Sequence, residues 1–296
     1  MVSLAARAVA AYSRVVLKRQ PRSPEHLVRH LRARLDHNPL PVLLFPGVKR
    51  QTFAGNGIHG EWLSVGRPTQ AVLYLHGGGY VAGVTSTYLT LCGKLARALK
   101  ADVYLPSYRL APEHPFPAAI DDAIAAYTLL LKQFPANRIT IMGDSAGGGL
   151  TLGTLLALRD RGMPLPKCAV VYSPYADVTQ SMDSRRYNAK KDDMFTHGTF
   201  TASMNLYGQT DEDRRNPYAS PAFGDYHGIP PLFITVSEDE CLRDDAHMVA
   251  ERARLAGVDV EFISRRGLVH VWPIFYPMMP EARLDVRKTI RFIQQF

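Results

Sequence analysis

Gly143-Asp144-Ser145-Ala146-Gly147 sets a serine between two glycines, and a serine so placed is a candidate nucleophile. Residues 138–142 ahead of it are β-rich, and an apolar helical stretch runs from about 148 to 161 after it. The expected context is strand, sharp turn, helix, which lifts the hydroxyl above the end of a parallel sheet. The flanking glycines suit a turn in which backbones pack too closely for side chains. By itself the pattern is weak, since a chain of this length carries one by chance about one time in ten. A second feature is more telling. Residues 71–75 read as a buried strand, and His76-Gly77-Gly78-Gly79-Tyr80 follows directly. Ordering three glycines costs backbone entropy, which is repaid where their N–H groups are needed. Acyl transfer supplies that need, because the attacked carbonyl oxygen becomes an oxyanion and each preorganised donor is worth about 3–4 kcal/mol. The expected donors are the N–H groups of Ala146, Gly78 and Gly79, with Gly77 next in line. A phosphate loop would instead end in Gly-Lys-Ser/Thr, and none is present.

A serine nucleophile needs a base, and the base an orienting acid, arriving here in the chain order Ser, acid, His. Residues 231–236 form a strong strand signal that runs into Ser237-Glu238-Asp239-Glu240-Cys241-Leu242-Arg243-Asp244-Asp245. An acid at that strand end lies on the same sheet edge as Ser145. A helical stretch at about 245–256 and a strand at 259–264 come next, and then the loop containing His270. Of ten histidines, only His270 falls after the last expected strand and before the final helix, so it is the expected base. His76 is expected to pin the glycine loop by hydrogen bonding, and Asp144 to act as a structural acceptor. Tyr80, Trp272, Phe275 and Tyr276 are candidates for lining the substrate cleft.

These residues carry a resemblance to the bacterial hormone-sensitive-lipase-like group of α/β-hydrolases. The matching motifs are H-G-G-G-Y at 76–80, Y-R-L-A-P-E-H-P-F-P-A at 108–118, G-D-S-A-G-G at 143–148, S-P-Y-A-D at 173–177, N-P-Y-A-S-P at 216–221 and E-D-E-C-L-R-D-D at 238–245. The similarity spans roughly residues 45 to 296. It implies an α/β-hydrolase fold, a mostly parallel sheet flanked by helices, with a helical cap over a Ser–acid–His site. Where many relatives carry Asp-Pro-Leu, this chain has Glu240-Cys241-Leu242, so the matching position makes Glu240 the orienting acid, with Asp239 and Glu238 as alternatives. Arg109, Glu113 and His114 correspond to a structural turn beneath the site. The resemblance implies a carboxylester hydrolase of short- to medium-chain esters, needing no metal or organic cofactor, and a homodimer. Lactone, thioester or amide hydrolysis would use the same groups, and a non-catalytic receptor would have lost a triad member. An epoxide or haloalkane hydrolase would carry Asp at position 145.

The elements that must position these residues follow from pattern and composition. The chain of 296 residues, 46% hydrophobic and 21% charged, suits one α/β unit with elaborations. Residues 1–38 read as helical with Leu4, Ala8, Tyr12, Val15 and Val16 near one face, and 39–46 as a proline-bounded linker. Strands and helices alternate from about residue 51, as in a doubly wound sheet. The expected division is 1–45 as the N-terminal part of a cap, 46–177 and 216–296 as the catalytic core, and 178–215 as a cap insertion. Cys92, Cys168 and Cys241 have no paired spacing, so no disulfide framework and a cytoplasmic location are expected. No run of 18 apolar residues is present to span a membrane. Residues 1–60 hold ten Lys/Arg against Glu25 and Asp36, a balance of +8 that equals the +8 of the whole chain. The basicity therefore belongs to the N-terminal segment, where it fits a solvated cap surface, a peripheral contact with anionic lipid, or an organelle transit segment. Nucleic-acid binding is not expected, because no reading motif accompanies the charge.

Overall fold

The computed structural model describes residues 2–35, 42–43, 45–55, 57–83 and 86–296. The chain opens with helices α1 (Leu4–Val16) and α2 (Pro24–Leu35). The hairpin strands β1 (Lys49–Gly55) and β2 (Ile58–Ser64) precede β3 (Gln70–Leu75), α3 (Ser86–Leu99) and β4 (Ala101–Pro106). Then come α4 (Ala118–Leu131), β5 (Ile139–Asp144), α5 (Ala146–Asp160) and β6 (Cys168–Tyr172). Three short helices, α6 (Ser184–Tyr187), α7 (His197–Tyr207) and α8 (Asp211–Arg215), interrupt the alternation. It resumes with β7 (Leu232–Ser237), α9 (Arg243–Leu255), β8 (Val260–Arg265) and α10 (Pro280–Gln295).

The eight strands make one sheet in the order β1-β2-β4-β3-β5-β6-β7-β8, with β2 antiparallel to both its neighbours, β1 and β4, and the remaining pairs parallel. Strands β4 to β7 are buried along their whole length, as a sheet covered on both faces requires. Side chains alternate between the faces with the strand period of two. Ala71, Leu73 and Leu75 of β3 join a core with Ile141, Ile234 and helices α4, α5 and α9. Val72 and Tyr74 turn the other way, into a core with Phe233, α3 and α10. The edge strand β1 is mostly exposed and carries Lys49 and Arg50, which discourage pairing with another chain.

The two N-terminal helices pack on opposite flanks of the sheet's carboxyl edge. Leu27, Val28 and Leu31 of α2 pack with Val81, Ala82 and the α7 residues Ala202 and Leu206. Arg32 reinforces this contact, donating to Val81 O at 2.8 Å and pairing with Glu113. Helix α1 is capped by Ser3, whose hydroxyl accepts from Ala6 N–H and donates to Glu281 of α10. Its buried residues are Ala6 and Ser13, while Leu4 and Val15 of the apolar face marked in the sequence are exposed to solvent. Residues 36–41 and 44, including half of the expected proline-bounded linker, lie outside the described residues. Cys92, Cys168 and Cys241 are buried and unpaired. Among the described residues no helix is long and apolar enough to cross a membrane.

Candidate active site

Ser145 sits in the turn between β5 and α5 with φ 53° and ψ −123°, a conformation that costs a non-glycine residue energy. Its surroundings enforce it. Ser145 N–H donates to Tyr172 O at 2.8 Å, and its carbonyl accepts from Tyr175 N–H at 2.8 Å and Gly149 N–H at 3.0 Å. The flanking glycines have no alternative. A Cβ on Gly147 would stand 2.0 Å from Leu75 O, and one on Gly143 would stand 2.3 Å from Gly147 O.

The glycine loop is built from the opposite side. Asp144 is buried and holds three donors: Tyr74 hydroxyl at 3.1 Å, Tyr88 hydroxyl at 3.0 Å and Gly77 N–H at 3.2 Å. Burial pushes its carboxyl up to about 6, against the pull of those donors. Gly77 N–H also points at the Tyr88 hydroxyl, 3.0 Å away. That engagement corrects the reading of Gly77 as a third loop donor. Gly78 and Gly79 take positive φ, 122° and 64°. Among the described residues no acceptor takes the N–H of Gly78, Gly79 or Ala146. His76 stacks on Tyr108 at 4.2 Å and bonds Gly77 O through Nδ1 at 2.7 Å. Burial holds its pKa down at about 4, so it is neutral at pH 7.

Glu240 and His270 meet across the sheet edge, Oε2 to Nδ1 at 3.2 Å, and both are almost wholly buried. Burial works against a charge on the imidazole, but the carboxylates of Glu240, Asp192 and Asp144 together outweigh it and raise the His270 pKa. Glu238 and Asp239 are engaged elsewhere. Glu238 pairs with Arg243 and His247, and Asp239 accepts from Gly267 N–H at 2.7 Å. Among the described residues the buried His270 Nε2 has no hydrogen-bond partner, Ser145 included. Both residues line one cavity of about 110 Å³, together with Gly78, Gly79 and apolar side chains of α1, α2 and α7.

The expected cleft aromatics need correcting. Tyr80 is buried and stacked on Tyr207 at 3.7 Å, away from the cavity wall. Trp272 is fully buried and donates its indole N–H to Asp285 at 2.9 Å, and Tyr276 packs on Phe45. Phe275 does line the cavity, beside Ile274, Phe195 and Phe200. The family model for the alpha/beta hydrolase fold matches residues 72–274. The chain belongs to this family. An acetyl-hydrolase of Streptomyces hygroscopicus is 39% identical over 79% of each chain, and an esterase of Acinetobacter venetianus 34% identical over 77% of this chain and 76% of its own. A solved esterase of the bacterial hormone-sensitive lipase family superposes with a TM-score of 0.87 at 33% identity, covering 100% of this chain and 99% of the other. The chain is thus a hydrolase of the carboxylesterase type, as its motifs imply.

Two parts of this esterase's site were not assigned a role from the sequence. Ser173, also at positive φ, donates to Glu240 Oε2 at 3.0 Å and accepts Val271 N–H at 3.2 Å, tying the acid to the loop of the base. Its Ser-Pro-Tyr-Ala-Asp motif was visible, but the direction of the hydroxyl was not. Asp192, from the segment between α6 and α7, accepts Cys241 N–H at 2.8 Å and so fixes the turn that carries Glu240. Arg109 and Glu113 do hold structure, Arg109 on Asp122 and Glu113 on Arg32.

Proposed function

We propose that this hydrolase cleaves short- to medium-chain carboxylic esters through an acyl-enzyme on Ser145. His270 takes the Ser145 proton as Oγ bonds to the ester carbonyl carbon, and the carbonyl oxygen becomes an oxyanion. The N–H groups of Gly78, Gly79 and Ala146 receive that charge, while Glu240 fixes the imidazole tautomer and stabilises its cation. The tetrahedral species collapses, the C–O bond to the alcohol breaks, and His270 gives the proton to the departing oxygen. Water then repeats the sequence on the acyl group, releasing the acid and restoring the Ser145 hydroxyl.

The observation that carries this reading is the Glu240–His270 contact, which leaves Nε2 unpartnered in the same cavity as Ser145. Proton transfer requires the serine oxygen within about 3 Å of Nε2, a contact that often tightens only when substrate binds. The chain-length range is supported by the small size and apolar lining of the cavity, about 110 Å³ walled by Val16, Leu27, Leu31, Phe195 and Phe200, which suits a short or medium acyl chain better than a long one. Names among the relatives point the same way, an acetyl-hydrolase and an ethyl acetate hydrolase of Pseudomonas putida. We assign the lid over this cavity to residues 2–35 and 178–215, since α1, α2 and α7 supply much of its apolar wall. A cavity so walled shapes specificity more than rate.

The test is a p-nitrophenyl ester series from acetate to palmitate, with a lactone and a thioester alongside. Highest kcat/KM between acetate and octanoate is expected, falling at least about tenfold at palmitate. A maximum at palmitate would contradict the size argument, and a strong preference for the lactone or thioester would contradict the ester reading.

A further inference from the structure

Helix α1 is apolar on two sides. Inward it buries Ala6 and packs Val9, Ala10 and Leu17 against Trp272 and its neighbours. Outward it exposes Leu4, Tyr12 and Val15, at 80%, 58% and 75%, along with Ala8 and Ala11. Positions 4, 8, 11, 12 and 15 are spaced by three and four residues, so they form one stripe along the helix. Arg7 stands along one edge of that stripe beside Arg14, which is paired with Asp193, and Arg19 and Arg22 follow just beyond Lys18, whose ammonium donates to the carbonyls of Lys190 and Asp192. From residue 1 to 35 the sequence holds eight Lys/Arg against a single acid, Glu25. An apolar stripe bordered by cations is complementary to a surface with negative headgroups above an apolar interior.

The position of the stripe adds a reason for it. Ser13, Val16 and Leu17 of the same helix, with Tyr12 at the margin between the stripe and the inner face, line the cavity that holds Ser145 and His270. A surface seated on the outer face of α1 is therefore one helix diameter from the cavity, on the order of 10 Å.

We infer that α1 is an interfacial helix, which docks the protein on anionic lipid surfaces through Leu4, Val15 and the adjoining arginines. Docking brings the cavity to the boundary where esters with apolar acyl chains concentrate. The binding step itself does not depend on the hydrolytic reading, so it is measured without turnover.

The experiment is co-sedimentation of the full chain with vesicles of phosphatidylcholine alone or with about one third phosphatidylglycerol, at low and at 0.5 M salt. Leu4→Gln/Val15→Gln and Arg7→Gln are the variants. None of the three positions lines the cavity, so hydrolysis of soluble p-nitrophenyl acetate stays unchanged and reports folding. Binding to the anionic vesicles is expected, with at least a tenfold loss in the double variant. A single cation near such a surface is worth about 1 kcal/mol, so Arg7→Gln should weaken binding about fivefold. Failure of the unaltered protein to bind, or equal binding by the double variant, would overturn the inference. A concentration-dependent dimer that the double variant abolishes would also overturn it, by making a second copy the occupant of this face.

Discussion

The chemistry rests on how a few side chains hold one another. Glu240 Oε2 receives both the His270 Nδ1 and the Ser173 hydroxyl, while its Oε1 is buried without a partner. Replacing Glu240 by Gln should cut kcat by up to about 10⁴-fold. It should also move the acid limb of kcat/KM to lower pH. The sign follows from the balance at His270: burial lowers its pKa, while Glu240, helped by Asp192 and Asp144, raises it above the ordinary 6.5, so removing the Glu240 charge leaves burial opposed only by Asp192 and Asp144 and lowers the pKa. Since the base must be neutral, activity would then persist to lower pH, and an unmoved limb in the pH profile would contradict the coupling. Ser173 allows a separate test. Its φ of 47° suits glycine, so Ser173→Gly relieves the backbone while deleting the hydroxyl, and Ser173→Ala deletes the hydroxyl alone. Both should lower kcat about tenfold with little change in KM. Retained activity in the glycine variant would reduce Ser173 to a matter of backbone strain. At this scale Ser145 and His270, the proposed nucleophile and base, could be singled out in the sequence because each sits at a position only one element order allows. Gly77 and Tyr80 were misread because the fate of an N–H or a phenol depends on neighbours far along the chain, Tyr88 in one case and Tyr207 in the other.

The elements act as clamps between distant segments. Arg185 of α6 is fully buried, pairs with Asp245 of α9 at 2.8 Å and lies over the rings of Tyr175 and Phe200. It also donates to the carbonyls of Asp177 and Cys241, so it joins the insertion to the turn beneath Glu240. Asp245→Ala would leave the guanidinium without its counter-ion and Ala176 and Asp177 N–H without their acceptor. A loss of about 3–5 kcal/mol in chemical denaturation is expected. A loss below about 1 kcal/mol would show that the pair does not bear on stability. Strands β3 to β7 could be read from their apolar runs, because a sheet covered on both faces needs little polar patterning. The outward stripe of α1 could not. Its periodicity marked an apolar face, but α1 has two, and only packing against α10 decides which one is covered.

For the whole molecule, the parallel sheet brings three loops from the ends of β5, β7 and β8 to one edge, where residues 145, 240 and 270 converge. The N-terminal helices and the 178–215 segment close over that edge, so the basic end of the chain is also a wall of the cavity. This explains why charge and catalysis looked separate in the sequence yet share one rim in space. The measurement that bears most directly on the account is mass spectrometry of the protein quenched during turnover of p-nitrophenyl butyrate. One butyryl group per chain, located on the peptide containing Ser145 and absent from Ser145→Ala, is the predicted result. Acyl transfer to another residue, or undiminished hydrolysis by Ser145→Ala, would contradict it.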